Sequence, residues 1–132
     1  MKKHCVIIAM VCLSAMMLFA ACTQKYPGYK KTQSGLYYKF HSRNTSAQQP
    51  KLTDFMKVEM TCYLHDSLYY DWKGTQHEVY TQLQEPIFAG DLQEAYAMMH
   101  VGDSASFYVK ADSVAALYYD QDPSAVGLAP ED

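Results

Sequence analysis

Five histidines, four cysteines and fourteen carboxylates are the side chains here that could ligate a metal, attack as nucleophiles or move protons, and their spacing favours none of these. No His-x-x-x-His pair and no cluster of ligands at metal-site spacing occurs. His65-Asp66 and His77-Glu78 fall in or beside turn-forming segments, where polar residues belong on other grounds. No nucleophile-elbow motif points to a Ser/His/Asp arrangement. Asp103, directly after Gly102, reads as a turn former rather than a catalytic acid. Cys62 takes an inward position in an alternating stretch, as a small buried apolar side chain does. Neither a metal nor a cofactor is expected. What is left is aromatic. The pairs Tyr37-Tyr38, Tyr69-Tyr70 and Tyr118-Tyr119 offer a surface for peptides or glycans, while alternation in a strand turns one ring of a pair into the core without any function.

The element that would position these rings is the stretch from Gly90 to Val109. Asp91 with Glu94 three residues on makes a capping pair, and Leu92, Ala95, Tyr96 and Met99 recur at helical spacing, so a short amphipathic helix begins here. His100-Val101-Gly102-Asp103 is expected to end it, with Gly102 closing the last turn. From Ser104 to Lys110, Ala105, Phe107 and Val109 alternate with polar neighbours and Tyr108, the pattern of a strand buried on one side. The clearest strand runs from Met56 to Leu64, with Met56, Val58, Met60, Cys62 and Leu64 on one face. Leu36 to Phe40 is a further short strand, Leu68 to Asp71 the return of a hairpin after His65-Asp66-Ser67, and His77 to Leu83 a candidate strand. One helical turn is expected at Ser113 to Leu117, and no strand pattern from Tyr118 to Asp132. The fold class is α+β: an antiparallel sheet packed on one short helix.

At 132 residues this is one small domain with appendages. Lys2 and Lys3 precede 17 uncharged residues, Cys5 to Ala21, and Ala20-Ala21 stand directly before Cys22. Residues 1–21 therefore read as an export signal. Small residues before such a cysteine resemble the lipobox of bacterial lipoproteins, in which the cysteine is acylated and becomes the new first residue. The competing account of the run is a plain transmembrane anchor. Cleavage before Cys22 removes Cys5 and Cys12 and leaves Cys62 as the one unmodified thiol, so no disulfide framework is expected. It also removes two of the eleven basic residues, leaving nine against fourteen acidic, and an acidic exported chain makes nucleic acid an unexpected partner. Residues 22–34, with Pro27, Gly28, Lys25, Lys30 and Lys31 and no apolar periodicity, read as the lipidated cysteine and a solvated tether.

In order, strand, long alternating strand, hairpin ending in Tyr70-Asp71, Pro86-Ile87-Phe88, short helix, Val101-Gly102-Asp103 turn and strand resemble the FKBP-type peptidyl-prolyl isomerase domain, and in particular its lipoprotein forms in Gram-negative envelopes. The resemblance spans Ser34 through about Leu117 and covers residues 35–132 as the domain. It implies a twisted antiparallel sheet wrapped on one short helix, catalysis of X-Pro rotation in an apolar pocket, proline-containing polypeptides as partners, and attachment to a membrane, with Thr23 after Cys22 compatible with the outer one. Carried over by position, Tyr70 is an aromatic wall, Asp71 the pocket's hydrogen-bond acceptor, Phe88 and Ala89 the pair before the helix, and Leu92 the floor where many members have Trp. Met60 and Ala115 fall where the family has tyrosines, the second of which donates to the substrate carbonyl; Tyr118 or Tyr119 could supply that hydroxyl from a shifted loop. Those two departures also motivate a non-catalytic peptide-binding module of the same fold. The resemblance further implies a closing strand that does not follow Tyr118, so a truncated reading frame is expected.

Overall fold

The structure, a computed structural model, describes residues 25–72 and 78–129. The signal, Cys22 and His77 lie outside these residues. Among the described residues seven strands form in chain order: β1 (Lys30–Lys31), β2 (Tyr37–Ser42), β3 (Phe55–Val58), β4 (Thr61–Leu64), β5 (Ser67–Asp71), β6 (Val79–Gln82) and β7 (Ser104–Tyr108). Between β6 and β7 lies helix α1 (Leu92–Ala97), and after β7 come α2 (Ala111–Tyr118) and a 3-10 turn, Pro123–Val126. This is a mixed α+β, sheet-rich fold with short helices and open antiparallel sheets. Strands pair as β1-β2-β7, β3-β6 and β4-β5, three sheets where a single one was expected.

The alternation from Met56 to Leu64 survives residue by residue, with even positions half-buried and odd ones exposed. The single long strand does not. It breaks at Glu59-Met60 because its two halves take different partners: Phe55 to Val58 pair with Gln82 to Val79, and Thr61 to Leu64 with Asp71 to Ser67. The broken backbone is still satisfied, since Trp72 N donates to Met60 O at 2.8 Å.

Residues 25–34 are not a solvated spacer. Lys30 and Lys31 pair with Tyr38 and Tyr37, and the Tyr26 ring stacks on Tyr108 at 3.7 Å. Tyrosines every few residues supplied apolar area that a search for helical or alternating periodicity passes over. Gly102 does not close α1 either. The last turn is closed by Met98 N to Ala95 O and Met99 N to Tyr96 O, and Gly102 serves the next turn, tied by Asp103 N to His100 O. α2 is longer than the single turn expected, and beyond it Leu128 is buried, its N–H bonded to Pro123 O.

The core is small: Leu36, Leu83, Ala95, Tyr96, Ala115 and Leu128 are its buried apolar residues. Leu36 is 1% exposed, and its backbone lies beside Gly90, just before α1. Gly90 has φ +82°, and a Cβ there would meet the Leu36 backbone nitrogen at 3.3 Å. Only glycine accommodates both the left-handed backbone and that approach. The start of α1 is thereby fixed against β2.

Candidate functional site

Asp91 anchors the site. Its residue is 0% exposed, and a carboxylate in that position must be hydrogen-bonded to be tolerated. As the N-cap of α1 it accepts from Gln93 N at 3.4 Å. It also accepts from Ile87 N at 2.8 Å and from the Tyr118 hydroxyl at 2.8 and 2.9 Å to its two oxygens. One cap residue therefore ties together the loop before α1, the helix itself and the end of α2. Glu94, paired with Asp91 by the capping spacing, instead accepts from the Ser34 hydroxyl at 2.5 and 2.6 Å and joins α1 to the segment before β2. Gln93, also buried, accepts from Gln84 N at 2.9 Å.

Beside this node the Phe88 ring meets Tyr118 edge to face, centroids 6.4 Å apart, an arrangement the ring quadrupoles favour. Of Tyr118 and Tyr119, both exposed, the structure brings Tyr118 to Phe88. Ala115 is buried in the core on α2, and Gln121 N bonds back to its carbonyl at 3.0 Å. Burial, with the Asp91 hydrogen bond and charge behind it, pushes the Tyr118 hydroxyl up to about 12. Its single proton is engaged by Asp91, so in this state Tyr118 offers a ring wall rather than a free donor.

Tyr70 and Asp71 lie on the β4–β5 hairpin. Tyr70 pairs with Cys62 across the hairpin, is 47% exposed, and packs edge-on to Trp72 at 5.1 Å. Asp71 accepts from the Thr61 hydroxyl at 3.1 Å. Leu92 opens α1 half-buried, and Ala89 is exposed in the turn before it. Tyr96 lies on the buried face of α1. The Tyr96 hydroxyl reaches Met60 Sδ at 3.8 Å. Burial first, then the neighbouring Cys62, raise this phenol to about 12, and its charge is felt in turn by Tyr118. Burial also pushes the Cys62 thiol up, the direction that makes a cysteine inert.

Sequence reasoning missed two members of this arrangement. Asp91 was legible only as a helix cap, and Tyr96 only as a core position on the helix. Asp103 does act as a turn former: burial opposes its charge, but the N–H groups of Asn44 (2.5 Å) and His100 (2.9 Å) and the His100 ring hold its carboxyl below the usual range. Among the described residues no group of three His, Cys, Asp or Glu side chains is placed to hold a metal ion.

The helix-start group thus provides a ring pair, Phe88 and Tyr118, held by a buried carboxylate, and α1 also carries a phenol, Tyr96, that meets a thioether. Such a set can hold an apolar or aromatic group out of water; it lacks a paired acid and base. No protein-family model matches this sequence, and no curated protein matches it as a relative.

Proposed function

We propose that this chain is an FKBP-type peptidyl-prolyl isomerase held in the bacterial envelope by acyl chains on Cys22, acting on proline-containing segments of exported proteins. The observation that carries the reading is the ring pair Phe88–Tyr118 fixed at the start of α1 by Asp91; on the same helix Tyr96 reaches Met60, the residue before the strand that pairs with Tyr70. Turning an X-Pro amide needs no nucleophile and no proton transfer. The barrier of about 18–20 kcal/mol arises from amide resonance, and a site that excludes water stabilises the less polar twisted form relative to the planar one. Phe88, Tyr118 and Leu92 would receive the proline ring, with Ala89 at the rim. Tyr70 would form the facing wall, and Asp71, held by Thr61, would orient the bound backbone.

A second reading has its own support. Met60 and Ala115 stand where the resembled domain has tyrosines, and the Tyr118 proton is already given to Asp91. A site without a donor for the substrate carbonyl binds proline-bearing or unfolded segments without accelerating rotation. A protease-coupled assay on a Xaa-Pro tetrapeptide separates the two: isomerisation above the uncatalysed rate supports the enzyme, and the uncatalysed rate alongside saturable peptide binding supports the module. Neither activity nor binding would discard both.

A further inference from the structure

The sheet β1-β2-β7 has two unlike faces. Register and alternation place Tyr38, Phe40, Ala105 and Phe107 on one of them, where Tyr38, Phe40 and Phe107 meet edge to face. The other carries Lys31, Tyr37, Lys39 and Tyr108, with Lys31 opposite Tyr37 and Tyr37 opposite Tyr108. Tyr26 and Tyr29 lie over this second face: Tyr26 stacks on Tyr108 and stands edge-on to Tyr37 at 4.8 Å, and Tyr29 lies 4.8 Å from Tyr108. Three ammonium groups sit over these rings, Lys25 on Tyr26, Lys31 on Tyr37 and Lys39 on Tyr29, at 5.6, 5.1 and 6.0 Å. All three lysines are exposed.

Charge along the chain has the same polarity. From residue 1 to residue 53 there is no carboxylate, while the fourteen carboxylates all fall between Asp54 and Asp132 with only Lys57, Lys73 and Lys110 among them. Among the described residues, Asp66 is a carboxylate whose charge bears on Tyr108. The protein as a whole is acidic, so the tyrosine–lysine face is a local positive surface on a negative body. Amphipathic rings flanked by basic side chains suit the boundary between lipid head groups and water.

We infer that this face docks flat on an anionic phospholipid surface and orients the domain there, with Lys25, Lys31 and Lys39 against head-group phosphates and Tyr26, Tyr29, Tyr37 and Tyr108 at head-group depth. The inference rests on the export reading in one respect: Lys25 follows the acylation candidate Cys22 by three residues, so a bilayer carrying the acyl chains lies within reach of the face. Acyl chains would hold the protein. The face would set which way it points, leaving the negatively charged remainder turned away from a surface of its own sign.

The test separates the face from the anchor. The mature chain from residue 22, carrying Cys22→Ser and therefore no acyl group, is floated with vesicles of phosphatidylcholine alone or with 30% phosphatidylglycerol (about one lipid in three, a strongly anionic surface). Binding to the anionic vesicles alone is expected, weakening steeply as salt shortens the screening length from about 10 Å at 0.1 M to about 3 Å at 1 M. The triple variant Lys25→Gln, Lys31→Gln, Lys39→Gln is expected to bind roughly 100-fold more weakly, at about five-fold per lysine near the surface. A control variant, Lys51→Gln with Lys110→Gln, keeps wild-type binding, and circular dichroism establishes that all variants fold. Equal binding to both vesicle types, no binding, or unchanged binding by the triple variant would overturn the inference. Retention on immobilised polyglutamate without vesicle binding would also overturn it, by assigning the face to an acidic protein. Whether Cys22 is acylated is read separately from the mass of the protein extracted from membranes, so failure of the anchor and failure of the face remain distinct.

Discussion

Tyr118→Phe removes one oxygen and probes both halves of the site. A hydrogen bond to a charged partner contributes about 1.5–3 kcal/mol net. Tyr118 is 41% exposed, and water can partly replace its hydroxyl at Asp91, so the expected loss is at the low end, about 1–2 kcal/mol. In a domain of this size that lowers the melting temperature by about 4–10 °C. The loss has a pH signature. The hydroxyl is raised in the folded state to about 12 from an ordinary value near 10, so its contribution is complete below pH 10 and disappears as pH rises through 12. Tyr96 has the same window but is present in both proteins, so its contribution cancels in the difference. Urea titrations of wild type and variant at pH 8 should differ by the full amount, and at pH 11.5 by little. Because the Tyr118 proton is engaged by Asp91, the variant is expected to retain kcat/KM for proline isomerisation within about two-fold. Equal stability at pH 8, or a stability difference that persists at pH 11.5, would refute the assignment of the Asp91–Tyr118 bond. A ten-fold loss of kcat/KM with unchanged stability would show that the hydroxyl turns to the substrate instead.

Three further substitutions or treatments test other parts of the account. Tyr70→Ala removes an exposed wall on the hairpin and should weaken Xaa-Pro peptide binding roughly ten-fold, about 1.4 kcal/mol, by isothermal calorimetry, while thermal stability changes little because Tyr70 is outside the core. Gly90→Ala places a Cβ against Leu36 N in a left-handed backbone and should cost about 1–3 kcal/mol; an unchanged denaturation midpoint would mean that the approach of α1 to β2 is looser than described. Cys62, with its thiol raised by burial, should react with a neutral disulfide reagent at least ten-fold more slowly in the native protein than in urea at pH 8. Equal rates would place the thiol at the surface.

Local pattern carried much of the fold, and long-range partnership carried what it missed. The alternation from Met56 to Leu64 was plain because each odd residue is polar or amphipathic and each even one apolar. The break at Met60 was invisible, since it follows from β3 and β4 choosing partners more than twenty and fewer than twelve residues away, respectively. Asp91 announced a helix cap through its neighbours, but its bond to Tyr118 spans 27 residues and has no local signature. Tyr26 and Tyr29 sat in a lysine-, proline- and glycine-bearing stretch that composition assigns to a linker, and their packing on Tyr108 depends on β7 arriving beside β2. The aromatic character of the site was legible; the buried carboxylate that holds Tyr118 beside Phe88 was not.

In the proposed function a Xaa-Pro segment would seat among Phe88, Tyr118 and Leu92 and rotate faster there. Two-dimensional NMR exchange on an Ala-Xaa-Pro-Phe peptide with a tenth of an equivalent of the protein measures this directly. Cross-peaks between the cis and trans forms should appear at mixing times of about a second, far shorter than the tens of seconds that uncatalysed rotation takes, and should fade with Phe88→Ala. A peptide spectrum without exchange peaks, at protein concentrations that saturate binding, would contradict the claim.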